Sequence, residues 1–142
     1  MAISARNVFA GTVSEIREGA VNAEVSLSVT GGDVIVATVT LDSLKTLALA
    51  VGKAATAFVK APSIMIVTGD DSVRYSARNH LKGSVTELKT GAVNSEVVVK
   101  LAGGSEVKAI ITNDAVTDLG LAVGSAASVL FKAGSVILGV SV

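Results

Sequence analysis

A four-residue stretch near the start of the chain is written a second time in its other half. Residues 4–7, Ser-Ala-Arg-Asn, return as residues 76–79, and the offset from Ser4 to Ser76 is then kept without a gap. About 28 of roughly 60 aligned positions are identical, too many to arise by chance at a fixed spacing. The chain therefore contains one small module used twice.

This repeat predicts the domain organisation of the 142 residues. We expect a first domain at residues 1–68, a polar linker at 69–75 and a second domain at 76–142. Units of this size bury a limited fraction of their surface and are marginal alone. Half of the residues are apolar, yet only 3% are aromatic. Such an aliphatic composition predicts that the modules pack on each other or on other chains.

Charge and composition exclude several classes of function. Twelve cationic residues balance twelve anionic ones, so the chain lacks the excess of positive charge expected of a general nucleic-acid binder. The absence of cysteine excludes disulfides, thiolate metal sites and thiol catalysis. No uncharged run reaches the length of a membrane span, and no secretory signal pattern begins the chain. We expect a cytoplasmic protein with neither nucleic acid nor membrane as a partner.

Alternating side chains predict strands at the start of each repeat. Residues 7–17 form a first strand, in which Gly11 marks a bulge or bend. From Val21 to Val29 apolar residues alternate with polar ones, the period of a half-buried strand with Val21 on the inner face. A Gly-Gly pair then supplies the positive φ of a hairpin, and residues 34–40 return as a third strand.

The period changes after the third strand. Leucines at helical spacing predict a short helix with Thr40 or Asp42 as its N-cap and Gly52 at its end. Two short strands follow, at residues 54–60 and 64–67, and the second repeat carries the same elements. The predicted fold class is all-β: two tandem OB-like five-stranded barrels, each with a short helix between strands 3 and 4.

Enzymatic chemistry is not favoured. His80 stands where the first repeat has Val8, so the module does not need it, and a solvated strand-end histidine is expected. Acidic residues recur, as at Glu15 and Glu24, but on strands amid lysine and serine, which favours cross-strand or solvent-facing roles over an acid–base pair. A nucleophile, a base and an orienting group cannot be assembled in both repeats. We predict a non-enzymatic protein without a cofactor.

Each repeat keeps a set of hydrogen-bond donors, whereas most other lysines are not repeated. The set is Ser4, Arg6, Thr40 and Lys60 in the first copy and Ser76, Arg78, Thr112 and Lys132 in the second. Surface charges and a helix cap would account for these residues without a ligand. Two cations with neutral donors would also balance a dianion such as a tetrahedral oxyanion.

The repeated Gly-Ala-Val-Asn turns also invite an anion site. They do not open a helix after a strand, as phosphate-binding loops do, so turn glycines are favoured. Asn22 and Asn94 lie just inside a strand. They can serve a turn, or they can converge with neighbouring amides on an anion.

The repeated stretches resemble the Mop domain of molybdate-binding proteins, the molbindins, and their tandem arrangement resembles a di-Mop molbindin. The resemblance covers nearly the whole chain apart from the linker. It rests on Ser-Ala-Arg-Asn, Gly-x-Val, Gly-Ala-Val-Asn-x-Glu-Val, Gly-Gly, the threonine before the helix and the Lys-Ala before the last strand. It implies an OB-like barrel, a homotrimer, and molybdate or tungstate held between domains of different chains.

The resemblance implies two kinds of oxyanion site. The type 1 site would be formed by Ser4, Arg6, Thr40, Ser43, Lys60 and the amide of Ala61, and in the second repeat by Ser76, Arg78, Thr112, Lys132 and Ala133. The type 2 site, near the threefold axis, would be formed by Ala20, Val21, Asn22, Ala92, Val93 and Asn94. Ala115 stands where the first repeat has Ser43, so one hydroxyl is missing there. Either that site is weaker or Asn113 substitutes.

The chemistry of the ion suits this donor set. A molybdate dianion has four acceptor oxygens and no proton at neutral pH, so it needs donors and no direct metal ligand from the protein. We expect cytoplasmic binding, storage and homeostasis of molybdate and tungstate without catalysis. One rival is a molybdate-sensing regulatory or transport-accessory module, which a helix-turn-helix or ATP-binding segment would mark. Another is an OB-type nucleic-acid binder, which needs stacking aromatics and a basic groove.

Overall fold

A computed structural model describes residues 1–69 and 71–142 and folds them into two five-stranded antiparallel sheets, which confirms the predicted all-β class. Each half carries a short helix between its third and fourth strands, as expected. In chain order the elements are β1 (Asn7–Glu18), β2 (Asn22–Val29), β3 (Val34–Thr40), α1 (Leu41–Thr46), β4 (Ala54–Val59), β5 (Met65–Val67), β6 (Asn79–Thr90), β7 (Asn94–Leu101), β8 (Glu106–Thr112), α2 (Asn113–Asp118), β9 (Ala126–Phe131) and β10 (Ile137–Gly139). Asp70, inside the predicted linker, lies outside the described residues.

The two halves exchange their last strands. The sheets have the orders β10-β4-β1-β2-β3 and β5-β9-β6-β7-β8, so each takes one edge strand from the other half. Ile137 of β10 lies opposite Phe58 of β4, and Met65 of β5 lies opposite Leu130 of β9. The sequence predicts the five strands of each barrel but not this exchange, because a period of two fixes which residues face inward and not which strand they pair with.

Two buried asparagines join the sheets at equivalent places. The Asn7 amide donates to the Lys108 carbonyl oxygen at 2.8 Å and accepts from the Lys108 backbone N–H at 2.7 Å. Asn79 makes the same pair of bonds with the backbone of Val36, both at 2.8 Å. Both asparagines are only 1% exposed. Each asparagine side chain therefore pairs with a backbone N–H and C=O of the neighbouring sheet, as the backbone of an added strand would.

The glycines mark close approaches of backbone. Gly31 has a φ of 78°, as the predicted hairpin requires, and a Cβ at this position would collide with the carbonyl of Gly103 in the other half. Of the predicted bulge or bend at Gly11, the bulge is wrong, because the register shifts between Val13 and Glu15. Gly11 is instead where β1 passes so close to β2 that a side chain would meet a carbonyl oxygen.

Two local predictions differ from the structure. Val21 is 73% exposed and precedes β2, so the inward alternation begins only at Ala23. Of the two predicted N-caps of α1, the structure has Thr40, whose Oγ1 accepts from the Ser43 backbone N–H at 3.0 Å. The helix ends at Thr46 and not at Gly52, because the chain reverses earlier, through a positive φ at Ala48.

Within the described residues no helix is long and apolar enough to cross a membrane. One continuous core joins inward-facing aliphatic residues of both halves, from Val25 and Leu27 to Val97 and Val99. The sheets therefore hold the strand ends of both halves in fixed positions, which sets the geometry of the site.

Candidate functional site

Four of the predicted type 1 residues of the second repeat meet in one surface depression of about 450 Å³. They are Ser76, Arg78, Lys132 and Ala133. The first two immediately precede β6 and the last two follow β9, and these strand ends are adjacent because Asn79 lies opposite Phe131. Antiparallel pairing thus brings together groups far apart in the sequence. We call this depression the lysine pocket.

The first half also contributes to the lysine pocket. Thr38 of β3 and Met65 of the exchanged β5 lie in its wall. Ala133 is 5% exposed, whereas Arg78 and Lys132 are exposed and can reach a ligand from the surface. Among the residues that the structure describes, no carboxylate lines this pocket. Its lining therefore joins two cations to a serine hydroxyl and the turn at residues 133–135.

The predicted threonines lie elsewhere. Thr112 caps α2, with its Oγ1 accepting from the Ala115 backbone N–H at 3.1 Å, and it does not line the lysine pocket. Thr40 caps α1 in the same way and donates its hydroxyl to Ser43 Oγ at 3.0 Å. Neither threonine lines the lysine pocket, although Thr38, which does line it, is two residues before Thr40 on the same face of β3.

Asn113 is already engaged within its own half. Its Oδ1 accepts from the Ser95 hydroxyl, and its Nδ2 donates to the Gly91 carbonyl oxygen at 2.9 Å. Both ends of the amide thus hold β7 and the preceding turn to α2. Asn113 thus has a structural role of its own, and these bonds use only one of its two Nδ2–H donors.

The first repeat presents the equivalent cations. Ser4, Arg6 and Lys60 are exposed, and Ala61 is buried at 1% exposure directly after β4. In the described part of the chain neither Lys60 nor Lys132 is in an ion pair. Both ammonium groups are therefore available to an external anion.

The two repeated arginines, by contrast, are paired with carboxylates of the other half. Arg78 Nη2 donates to Glu24 Oε1 at 2.8 Å, and Arg6 Nη1 donates to Glu96 Oε2. The sequence prediction missed these pairs. A signal was present, because both glutamates recur at the same offset as the arginines they contact.

Of the predicted type 2 residues, Asn22 lines a second depression of about 400 Å³. Arg17, Glu18, Glu24, Thr38 and Arg78 line it as well, so it contains two carboxylates. We call it the asparagine pocket. Arg17 Nε donates a hydrogen bond to Glu15 Oε1 at 2.8 Å, and this bond raises the pKa of Arg17.

The other type 2 residues lie on exposed turns. The Gly19 backbone N–H donates to the Asn22 carbonyl oxygen at 2.8 Å, and Gly91 does the same with Asn94 at 2.9 Å. These bonds confirm the turn glycines. The remaining exposed members of the set are Ala20, Val21, Ala92 and Val93.

His80 lies at the start of β6, exposed, with its ring edge-on to Tyr75 at a centroid separation of 5.5 Å. The expected solvated strand-end position is confirmed. No group of three or more histidine and acidic side chains that could hold a metal ion is found in the described residues.

Comparison with known proteins places the chain beside molybdenum-handling proteins. The TOBE domain model matches residues 3–66 and 75–138. The chain is 41% identical over 99% of its length to the molybdenum transport protein ModE of Herbaspirillum seropedicae, and 41% identical over 97% to the molybdenum-pterin-binding protein MopA of Rhodobacter capsulatus. It spans about half the length of these relatives, 52% of each.

A solved structure resembles the chain along its whole length. It is the cytoplasmic molybdate-binding protein ModG in a crystal form with molybdate bound. The two share 52% of their sequence with a TM-score of 0.94, over 99% of this chain and 100% of that one. The resemblance to tandem Mop domains inferred from the repeat is thereby confirmed.

Proposed function

The chain belongs to the TOBE-domain family as a tandem of two Mop-type domains, and from that premise we propose that it binds molybdate, and tungstate, as a cytoplasmic store without catalysis. The observation that carries the proposal is the convergence of Arg78, Lys132, Ser76 and Ala133 on one pocket. The likeness to molybdate-bound ModG over the full length of both chains supports it.

The chemistry of the lysine pocket fits a dianion. Arg78 offers a fork of N–H donors and Lys132 a compact ammonium, so two positive charges face one doubly negative ion. A carboxylate in the lining would repel molybdate, and none of the described residues places one there. Since the ion is bound through its oxygens, no cysteine or histidine ligand is needed.

One chain supplies only part of the shell around the ion. Each water molecule in the liquid fills about 30 Å³, and a five-atom oxyanion fills only a few times that volume. The lysine pocket, of about 450 Å³, has room for more than this ion and is open to the surface, so its lining does not surround the ion. We propose that hydroxyls from a helix cap of a neighbouring chain, such as Thr40 or Thr112, complete the donor set.

Exposed valines support self-association. The exposed fractions are 73% and 71% at Val21 and Val93, and 67% and 66% at Val51 and Val123. The same apolar positions are thus left uncovered in both halves, which suits a surface that meets further copies of this chain. We propose the homotrimer that the resemblance implies, with sites at its subunit interfaces.

Equilibrium dialysis against molybdate, tungstate and sulfate tests the proposed function. Molybdate and tungstate should saturate the protein at similar concentrations, because their sizes are nearly the same. Sulfate has the same charge but is smaller, so it should compete poorly. No saturable molybdate binding, or a preference for sulfate, would contradict the proposal.

A second candidate is a molybdate-sensing or transport-accessory role. The observation that favours it is the similarity to ModE, a protein about twice the matched length. An immunoblot of the native protein separates the two: a polypeptide much longer than 142 residues would favour the sensor. An OB-type nucleic-acid binder is the third candidate, and a gel shift at low salt that shows no complex would eliminate it.

A further inference from the structure

The arginines that the proposed function assigns to the oxyanion are already occupied. Arg78 donates to Glu24 at 2.8 Å, and Arg6 donates to Glu96 at the equivalent place in the other half. Both pairs cross from one repeat to the other. Because the arrangement occurs twice, it is a property of the module and not an accident of one surface.

Arg78 lies between two different surroundings. Its side chain borders both the lysine pocket and the asparagine pocket, whereas Glu24 borders only the asparagine pocket. Thr38, directly across the β2–β3 ladder from Glu24, borders both. Arg78 therefore stands at the boundary between the two pockets, of which one is lined by Glu24 and the other by Lys132.

The attraction between Arg78 and Glu24 is weak enough for a bound dianion to displace the carboxylate. The Arg78 side chain is 53% exposed and that of Glu24 28%, so solvent weakens their attraction. A guanidinium presents its donors in a planar fork, and the edge that holds a carboxylate cannot hold an oxyanion at the same time. Glu24 engages Nη2 of Arg78 through one bond, so an oxyanion that takes the edge of the guanidinium containing Nη2 must replace Glu24 there.

We propose that Glu24 and Glu96 are internal competitors of the oxyanion: each holds its arginine in the ligand-free protein and must release it when the ion binds. This proposal rests on the proposed function. The competition lowers the affinity below what the donor set alone would give. It also provides a partner to which the arginine returns when the ion leaves, so that a storage protein can release its cargo at equilibrium.

The test is titration calorimetry with sodium molybdate on the full chain at fixed pH and ionic strength. E24Q removes the competing charge and should bind molybdate about two- to fivefold more tightly. E18Q is the matched control: Glu18 lines the same asparagine pocket, and among the described residues it is in no ion pair. It removes an equal charge from the same rim without releasing an arginine, so its affinity should stay near that of wild type.

A second readout follows the arginine itself. In ¹⁵N-edited spectra, molybdate and E24Q should each move the guanidinium signal of Arg78, because both break the same pair, and E18Q should leave it in place. Thermal unfolding without ligand checks that each variant is folded. Should E24Q fail to fold, E96Q tests the equivalent pair.

The outcomes separate the two proposals. Tighter binding by E24Q and unchanged binding by E18Q support the competition. The competition is overturned if E24Q binds molybdate no more tightly than the wild type, or if E18Q gains as much affinity as E24Q. In either case the proposed function still stands, as long as the wild type binds molybdate. If the wild type itself does not bind molybdate, the proposed function fails instead.

Discussion

The repeated asparagine shows how one side chain can join two sheets. In a strand pair each backbone N–H and C=O finds its partner in the neighbouring backbone. At Lys108 and Val36 those partners are the amides of Asn7 and Asn79, buried among apolar residues. Only a planar group with one donor and one acceptor on the same side satisfies both backbone groups at once.

Replacing Asn79 by alanine should therefore be costly. It leaves the N–H and C=O of Val36 without their partners in a partly buried place, and it removes a side chain that is only 1% exposed, so we expect a loss of about 2–4 kcal/mol in the free energy of unfolding. Urea denaturation measures it. N94A, at an exposed asparagine, serves as the control and should change stability by less than about 0.5 kcal/mol. Equal losses in the two variants would contradict the inter-sheet role.

Lys132 carries a prediction about binding. K132A removes one of two cations from the lysine pocket and should weaken molybdate binding by at least about tenfold, since a charge of the dianion loses its partner. K100A, an exposed lysine on β7 outside that pocket, is the control and should bind as wild type. The ratio of dissociation constants from dialysis decides. Comparable binding by K132A and wild type would show that the site residues are wrongly assigned.

At the scale of elements, the sequence predicts what is local. Alternation predicts the strands, the Thr40 hydroxyl predicts the helix start, and the Gly-Gly pair predicts the hairpin, because each depends on neighbours in the chain. The partner of each last strand depends on tertiary packing, and the pattern of apolar residues is the same whichever sheet the strand joins.

The candidate site divides in the same way. The internal repeat singled out Arg78 and Lys132, the resemblance gave them a role, and β6–β9 pairing explains why they line the same pocket. The carboxylate of Glu24 was predicted only as a surface or cross-strand group. Its contact with Arg78 spans the two repeats, so local spacing does not report it; the sequence shows only that the glutamate and the arginine both recur at the same offset.

Strand exchange predicts which half of the protein a core substitution in a last strand destabilises. Leu138 is buried on β10, which pairs with β4 of the first half. L138A should cost about 2–4 kcal/mol and should speed amide hydrogen exchange in β4 before β9. I66A, at the equivalent position of β5, is the reciprocal control and should expose β9 first. Faster amide hydrogen exchange in β9 than in β4 of L138A would contradict the strand exchange.

For the whole molecule, the decisive property is that the predicted donors do not all gather in one pocket of the chain. The lysine pocket contains Arg78 and Lys132 but neither of the helix-cap threonines, Thr40 and Thr112. Ions that bridge chains bind only the assembled form, so binding and assembly should support each other.

Native mass spectrometry tests this linkage. We expect a species of three chains, and its share at low protein concentration should rise when molybdate is added. The same measurement on K132A should show a smaller rise, because the ion that bridges the chains is held less well. A monomer that binds molybdate at full affinity would contradict sites between subunits.

The exchanged strands also bear on how the protein behaves on dilution. A sheet completed by a strand from a separate polypeptide comes apart once that polypeptide is scarce. Here β5 and β10 are tethered to the sheets they complete, and a covalent tether keeps a partner at an effective concentration on the order of millimolar. Each chain can thus keep its fold at low protein concentration. Dilution instead weakens the association between chains, and with it the retention of the ions bound between them.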